Sequence, residues 1–422
     1  MQKLPKVYFK TFGCRTNQFD TQLMMQRLTQ GVVTMDEEEA DIVVINSCTV
    51  TNSADSSVRS YIGSLERRRP GVRIMMTGCG VYGKGEELFA EGRINALFGH
   101  SEKRSIDRFV TATTPLREIG DLEYINDAIV GEMIGKSRAF VKIQEGCDFA
   151  CSYCIIPFVR GRARSHDEAV ILEQIEKLAA HGLGEFILTG TNMGSYGRER
   201  GESLATLLPK IAAIRGVRRI RLGSLEPIQV DDALLELLDE PWMAKHLHIA
   251  LQHTSNRMLE AMNRRNRYRD DLALFEKIAG HGYALGTDFI VGFPGESHEI
   301  WKEAMENARR LPLTHIHLFT YSPREGTPSA RLRQDVPGDV AKERSHELRT
   351  LVKEKNFAFR KALTTPLRVL VEEVNEGVYE GYDQYYNRVK IYSDVDITHC
   401  WIDLDDYEIH SEGNRGRFAA TS

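Results

Sequence analysis

Cys147, Cys151 and Cys154 form a compact C-x3-C-x2-C run near the middle of a 422-residue chain. Structural zinc takes four ligands, usually in paired Cys/Cys or Cys/His patterns, but no fourth cysteine lies nearby and the next histidine, His166, is twelve residues past Cys154. Three thiolates suit a 4Fe-4S cluster, holding three irons and leaving the fourth open to a small ligand. Such an iron is a place for chemistry; zinc, or plain burial of the thiols, is the competing reading. Cys14, Cys48 and Cys79 are far apart in sequence, yet each closes a short apolar run, as FGC, NSC and TGC. Any one of them reads as a buried thiol, whereas three at equivalent places read as a second cluster site. Cys400, alone within ITHCWI, reads as a small buried hydrophobe. A disulfide framework is disfavoured: the seven cysteines are odd in number, the expected compartment is reducing, and a chain this long needs no staple.

The elements that must carry these thiols alternate strand and helix. Val7 to Phe12, Ile42 to Ile45 and Arg73 to Thr77 read as strands, with helices over Gln18 to Leu28 and Ala54 to Arg69. In a parallel sheet the carboxyl ends share one edge, where open α/β folds bind ligands, so Cys14, Cys48 and Cys79 should converge. Further strands are expected at Ala139 to Gln144, Glu185 to Leu188, Arg218 to Leu222, His246 to Leu251, Leu285 to Val291 and His315 to Tyr321. Six βα units suggest an incomplete barrel, whose chemistry sits at the carboxyl rim. The motifs EGC, LTGTN, GSLEP, LQ and VGFPGE all follow these strands. From Pro366 onward, short alternating runs divided by Gly, Asn and Asp fit a small β-barrel. The expected fold class is therefore α/β multidomain: a parallel-sheet α/β domain at 1–115, a partial (βα)6 barrel at 133–362 and a small β-barrel at 363–422, with a linker over Thr111 to Gly135.

A composition of 42% hydrophobic and 27% charged residues excludes disorder and fibrous classes. No run is apolar enough to span a membrane and MQKLPKVYFK lacks a secretory core, so the expected location is cytoplasmic, with no membrane partner. A net charge of -5 does not by itself call for nucleic acid. Residues 361–422 hold six Lys or Arg against twelve Asp or Glu, net -6, which leaves +1 for the rest. Phosphate contacts are therefore expected on arginine clusters at Arg160, Arg162 and Arg164, at Arg215, Arg218, Arg219 and Arg221, and at Arg264, Arg265, Arg267 and Arg269. The competing reading is helix capping or a solvated face.

GCRTNQ around Cys14, EGCDFACSYCIIPFVRGRARS around the compact triad and HLFTYSPREGTPSA from His317 resemble the radical S-adenosylmethionine (SAM) methylthiotransferases, most closely those acting on threonylcarbamoyladenosine in tRNA. The resemblance spans nearly the whole chain. It implies that Cys147, Cys151 and Cys154 hold the catalytic 4Fe-4S cluster and Cys14, Cys48 and Cys79 an auxiliary one, two clusters in all, with SAM on the open iron of the first. It further implies SAM contacts from Tyr153, Thr189, Gly190, Ser224, Glu226, Gln252, Gly292 and Pro294, and an approach of Arg160 and Arg164 to the SAM carboxylate. The sequence departs from the family at TGTN, where GGE is commoner. The tail resembles an RNA-binding TRAM domain whose Tyr379, Tyr382, Tyr385, Tyr386 and Tyr392 are candidates to stack on bases.

The implied reaction replaces the C2 hydrogen of N6-threonylcarbamoyladenosine at position 37 of tRNA with a methylthio group. C2-H offers neither an acidic proton nor a leaving group, so a radical made by reductive cleavage of SAM is required. The implied partners are a tRNA anticodon stem-loop carrying the modified adenosine and an electron donor such as a flavodoxin-type protein, with the sulfur donor unknown. Two alternatives stand beside this. One keeps the chemistry and changes the substrate to isopentenyladenosine or a ribosomal-protein side chain. The other is an RNA-binding, redox-sensing iron-sulfur protein without catalysis.

Overall fold

The computed structural model describes residues 3–124 and 129–419. In the first sheet, Ile42–Ser47 is buried at every position, as a central parallel strand with helices on both faces must be. The strands are β1 (Lys6–Thr11), β2 (Val32–Val33), β3 (Ile42–Ser47), β4 (Arg73–Gly78), β5 (Ala96–Phe98) and β6 (Leu116–Glu118), all parallel, in the order β2-β1-β3-β4-β5-β6. The short strands β2, β5 and β6 are not anticipated by the sequence pattern, because two or three residues show no periodicity. The Asn52–Arg68 helix is capped by Thr51, whose hydroxyl accepts from the Ala54 N–H at 3.1 Å, and it buries Val58, Ile62 and Leu65 on one stripe.

Most of the expected linker is built into the fold. β6 pairs with β5 beyond the expected boundary at 115. Gln26 and Gln22 side chains then accept from the backbone of Gly131 and Ile134, each at 3.0 Å. Residues 125–128 of that linker lie outside the described residues.

The central unit comprises β7 (Ala139–Lys142), β8 (Gln144–Glu145), β9 (Arg164–Ser165), β10 (Glu185–Thr189), β11 (Arg219–Leu222), β12 (Ser224–Leu225), β13 (His246–Ile249), β14 (Ala284–Val291) and β15 (His315–Thr320). Two parallel sheets, β7-β10-β11 and β12-β13-β14-β15, are joined because β11 passes into β12 through Gly223, whose N–H donates to Leu188 at 2.9 Å. The result is six parallel strand positions in an open barrel, as expected. The remaining pair, β8 and β9, runs antiparallel and brackets the loop that carries the compact cysteine triad.

The C-terminal strands β16 (Leu367–Asn375), β17 (Val378–Tyr382), β18 (Arg388–Ser393), β19 (Trp401–Leu404), β20 (Tyr407–His410) and β21 (Gly413–Phe418) form one sheet, β19-β16-β17-β18-β21-β20. It curls as a half-barrel over Leu367, Val369, Val389, Ile391, Ile402 and Leu404. Cys400 is exposed, contrary to its reading as a buried hydrophobe: it ends a turn before β19, and its carbonyl, not its side chain, is held by Val371.

The tyrosines offered to bases are mostly spent on packing. Tyr385 is buried, with its hydroxyl 3.1 Å from that of Thr365. Tyr382 and Tyr386 stack at 4.9 Å and dock against Arg138, and Tyr386 also meets Arg221. Tyr379 packs against the half-barrel core, and Tyr392 is exposed. The arginine clusters are likewise divided. Arg160, Arg219, Arg221 and Arg264 are buried, which removes them from phosphate contact, while Arg162, Arg215, Arg218, Arg265 and Arg269 are exposed.

The half-barrel is fastened to the barrel base by charge. Glu185 accepts from Arg221 Nε at 2.7 Å and from Arg219, and those guanidinium groups reach the backbone at Arg368, Tyr382, Asp383 and Gln384. Burial pushes the Glu185 carboxyl up, but Arg221, Arg219 and Arg138 outweigh it and hold the group at about 2, below its ordinary 4.5. A carboxyl depressed by folding stabilises above its unfolded value and loses that contribution as pH falls through the folded one. Acid titration from pH 4.5 towards 2 is therefore expected to loosen this junction, reported by Trp401, whose ring lies 4.6 Å from the Arg219 guanidinium. Glu185→Gln should remove the acid dependence and cost about 3–5 kcal/mol at neutral pH, since it leaves buried arginines unpaired.

Candidate active site at the domain junction

Gln144 sets the triad loop. Its amide donates to the carbonyls of Glu145 and Gly146 at 2.8 Å each, and its oxygen accepts from the Asn192 N–H at 2.7 Å. Cys147 Sγ then accepts from Phe149 N–H at 3.4 Å and from Asn192 Nδ2 at 3.5 Å, while Arg264 Nη1 lies 3.6 Å from Cys151 Sγ. All three cysteines line a cavity of about 280 Å³ at the carboxyl rim of the barrel. Burial pushes the Cys154 thiol up to about 12 and Cys147 upward too, with Cys151 adding in both cases. Cys147 and Cys154, which burial holds protonated when alone, are stable as thiolates around a cationic core, and three soft donors with open space before them fit a 4Fe-4S cluster.

Of the residues expected at SAM, Tyr153, Ser224, Glu226 and Gln252 share the cavity wall with the triad. Gln252 is held there at φ 68°, a conformation costly for a non-glycine residue, by backbone hydrogen bonds to Asp288 and Ile290 on β14. Thr189, Gly190, Gly292 and Pro294 do not reach the cavity. Thr189 faces Thr16 of the N-terminal unit at 3.4 Å, and Thr191 and Asn192 take the wall position instead. Gly292 turns its N–H to the Glu296 carboxylate and backs onto Ala341.

The expected approach of Arg160 and Arg164 to SAM is corrected. Arg164 spends its guanidinium on the carbonyls of Tyr124, Arg160 and Arg162. Arg160 points to the other trio, with Nε 3.2 Å from Cys79 Sγ. The cavity guanidinium is that of Arg264, which grips Glu226 through both Nη atoms and reaches the Ala250 carbonyl at 2.5 Å. Its sequence neighbourhood, NRRNR, suggests phosphate contacts and gives no sign that this arginine turns inward.

The N-terminal trio is drawn together by its loops. Gly13, at φ +95°, backs onto Cys48: a Cβ there would stand 2.7 Å from Cys48 Cβ and 3.0 Å from its sulfur. The Ser47 hydroxyl bonds the Thr77 carbonyl at 2.5 Å and the Gly80 N–H at 3.2 Å, fixing the second loop against the third. Burial pushes the Cys48 thiol up to about 12, and the Cys79 and Cys14 sulfurs push the same way. Behind Cys79 lies a fully buried charge network. Arg160 bonds Glu145 at 2.5 Å, Asp20 at 3.4 Å and the Asn17 side chain; Lys142 bridges Asp20 and Glu145 at 2.6 Å each; Lys103 meets Asp20 at 2.6 Å. Two carboxylates face three cations, with Asn17, Asp20 and Lys103 from the N-terminal unit and Lys142, Glu145 and Arg160 from the barrel.

Comparison with known proteins places both halves of this arrangement. Residues 141–308 match the profile of the radical SAM superfamily, and residues 6–99 match uncharacterized protein family UPF0004. A putative methylthiotransferase of Helicobacter pylori strain J99 is 49% identical over 98% of this chain and 100% of its own length. The chain belongs to the radical SAM methylthiotransferases. The threonylcarbamoyladenosine tRNA methylthiotransferase MtaB of Aquifex aeolicus is 35% identical to this methylthiotransferase over 89% of the chain and 95% of its own length. A tRNA-2-methylthio-N(6)-dimethylallyladenosine synthase of Lachnoclostridium phytofermentans is 34% identical, over 87% of the chain and 84% of its own length. Among solved structures, the radical SAM methyltransferase TsrM of Kitasatospora setae shares the fold, with a TM-score of 0.54 at 14% identity, covering 76% of this chain and 73% of that one.

In this methylthiotransferase the N-terminal trio is also tied to the C-terminal module. Arg15, next to Cys14, donates to the Tyr386 hydroxyl at 2.9 Å. Across the rim, Arg324 bonds Thr49 at 2.7 Å and Asp55 at 2.5 Å, clamping the loop after Cys48 to the barrel. Among the described residues no helix is long and apolar enough to cross a membrane.

Proposed function

We propose that this methylthiotransferase converts N6-threonylcarbamoyladenosine at position 37 of tRNA to its 2-methylthio derivative, with SAM and two 4Fe-4S clusters, one on each cysteine trio. The observation that carries the reading is a shared wall: Val50 and Thr51, just after Cys48, line the same cavity as Cys147, Cys151 and Cys154. A base entering there meets the compact triad and the loop that follows Cys48, the juxtaposition that an enzyme activating a C–H bond and delivering sulfur to the same carbon requires. When bound, the cluster at the compact triad supplies the electron that cleaves SAM so that a hydrogen atom can be taken from the substrate. Tyr153, Ser224, Glu226, Gln252 and the Glu226–Arg264 pair bound the space for SAM.

The substrate is supported by the MtaB relatives and by HLFTYSPREGTPSA; the isopentenyladenosine enzyme at similar identity marks the competing substrate. The partners proposed are the anticodon stem-loop of tRNA and an electron donor of flavodoxin type, in the cytoplasm, with a first domain carried through β6 to Glu118 and the others at 133–362 and 363–422. Nucleoside mass spectrometry of tRNA from a deletion strain tests this: 2-methylthio-threonylcarbamoyladenosine should vanish while its unthiolated precursor accumulates. Unchanged levels would defeat the substrate assignment. A noncatalytic binder would release no 5′-deoxyadenosine on anaerobic reduction with SAM.

A further inference from the structure

His248, Asp288 and His317 bring three potential ligand atoms within 4.8 Å of one another inside the barrel. They sit on adjacent strands β13, β14 and β15, with side chains facing the lumen, and none belongs to either cysteine trio. His248 Nε2 lies 3.0 Å from Asp288 Oδ1, and His317 Nδ1 lies 3.3 Å from the same oxygen. The two imidazoles stack, 4.7 Å apart and 27° from parallel. An ionised carboxylate only accepts hydrogen bonds, so His317 must turn a protonated Nδ1 to Asp288, while His248 Nε2 lies beside the same oxygen without a hydrogen bond to it. A shared metal would need the lone pair of that same Nδ1, so the His317–Asp288 bond stands against a metal site.

This arrangement leaves one atom uncommitted. His317 Nδ1 is taken by Asp288, so Nε2 is the uncommitted atom, on a side chain 61% exposed beside a half-buried carboxylate. Burial opposes ionisation of Asp288, but His248 and His317 hold it well below the usual carboxylate range, so it stays anionic beside His317. With Nδ1 donating to Asp288, Nε2 donates in turn when the ring carries both protons. Of the deeper histidines, burial drives His246 well down and His315 to about 3. Nearby guanidinium groups are already engaged, Arg264 by Glu226 and Arg324 by Asp55.

Asp288 lines the cavity, as does Phe319, two residues beyond His317. On the proposed substrate, C2 at the cysteine triad turns the N6 substituent away from the triad, and His317 stands beside the Asp288 and Phe319 part of the wall. We propose that His317, backed by Asp288 and His248, is the specificity-determining residue that reads the carboxylate of an anionic N6 substituent through a charge-assisted hydrogen bond from Nε2. The inference rests on the proposed substrate and names the part of it that is recognised. An uncharged isopentenyl group would leave the exposed His317 donor to water, so the preference rests on the added charge-assisted bond to the carboxylate.

The test is fluorescence-anisotropy binding of the full-length protein to three synthetic anticodon stem-loops: one with N6-threonylcarbamoyladenosine, one with its methyl ester and one unmodified. Wild type should bind the free carboxylate about tenfold or more tightly than the ester, the size of a charge-assisted bond. His317→Gln should bind both equally and bind the unmodified loop as wild type does, and His317→Arg should restore the preference. If wild type prefers the carboxylate but His317→Gln keeps that preference, the inference fails while the proposed function stands. If wild type does not distinguish the modified from the unmodified loop, the proposed substrate fails first. A stoichiometric non-iron metal recovered from wild type and lost in His317→Gln would reassign the three residues as a metal site and overturn the inference.

Discussion

Replacing Arg160 with glutamine is expected to lower the stability of the iron-free protein by about 3–5 kcal/mol, the usual cost of removing one partner from a buried ion network. The loss should appear as a lower guanidinium midpoint in anaerobic unfolding. The side chain is 2% exposed and serves Glu145, Asp20, Asn17 and Cys79 together, so its removal leaves two buried carboxylates with weaker partners. A glutamine reaches at most one of them. Arg160→Lys should recover only part of the loss, because an ammonium keeps the charge but not the fork that spans four groups.

The same variant bears on the N-terminal trio. Asp20 and Glu145 against Lys103, Lys142 and Arg160 leave one positive charge over, buried and aimed at Cys79. Burial pushes the Cys79 thiol up and Arg160 pulls it down, so the guanidinium is what favours the thiolate. On the proposed two-cluster reading, iron retained without it after anaerobic reconstitution should fall from about eight per chain towards about four, with the loss at Cys14, Cys48 and Cys79. Retention of about eight irons by Arg160→Gln would show that the network fastens the two units together without helping to hold the trio.

How much of this was legible in sequence depended on whether the signal was local. β1, β3 and β4 were readable because apolar runs end at FGC, NSC and TGC, and strand ends of one parallel sheet must share an edge. The six barrel positions were readable for the same reason. The partners of charged residues were not. FVRGRAR offers three arginines at near-equal spacing, and only the tertiary junction selects Arg160 for Cys79 and leaves Arg162 in solvent. Arg264 and Arg221 were misread as phosphate contacts because a buried ion pair looks like a surface charge until its carboxylate is located. The tyrosines failed likewise: Tyr386 docks because Arg15, some 370 residues earlier, arrives at its hydroxyl.

Replacing Cys147, Cys151 and Cys154 together with alanine should abolish 5′-deoxyadenosine release, whereas replacing Cys14, Cys48 and Cys79 should spare that release and stop methylthiolation. The expectation comes from the walls of the cavity. Cys147, Cys151 and Cys154 lie directly on it with Ser224, Glu226 and Gln252, whereas among the described residues the loops of the N-terminal trio bring Val50 and Thr51 to it and none of Cys14, Cys48 and Cys79. On the proposed reading, cleavage of SAM needs the barrel side alone, and methylthiolation needs both sides, since Val50 and Thr51 bring the second trio's loop to the same space. Each triple variant should be checked by anaerobic assay with liquid chromatography of nucleosides and by mass spectrometry of the RNA, after circular dichroism confirms the fold. The N-terminal variant has a built-in control, because the Arg160 network is fixed by Asp20, Asn17 and Glu145 without Cys79 and should keep the two units docked. Loss of 5′-deoxyadenosine from that variant while its fold is intact would mean that the second trio acts in SAM cleavage, and continued methylthiolation would mean that it does not deliver the sulfur.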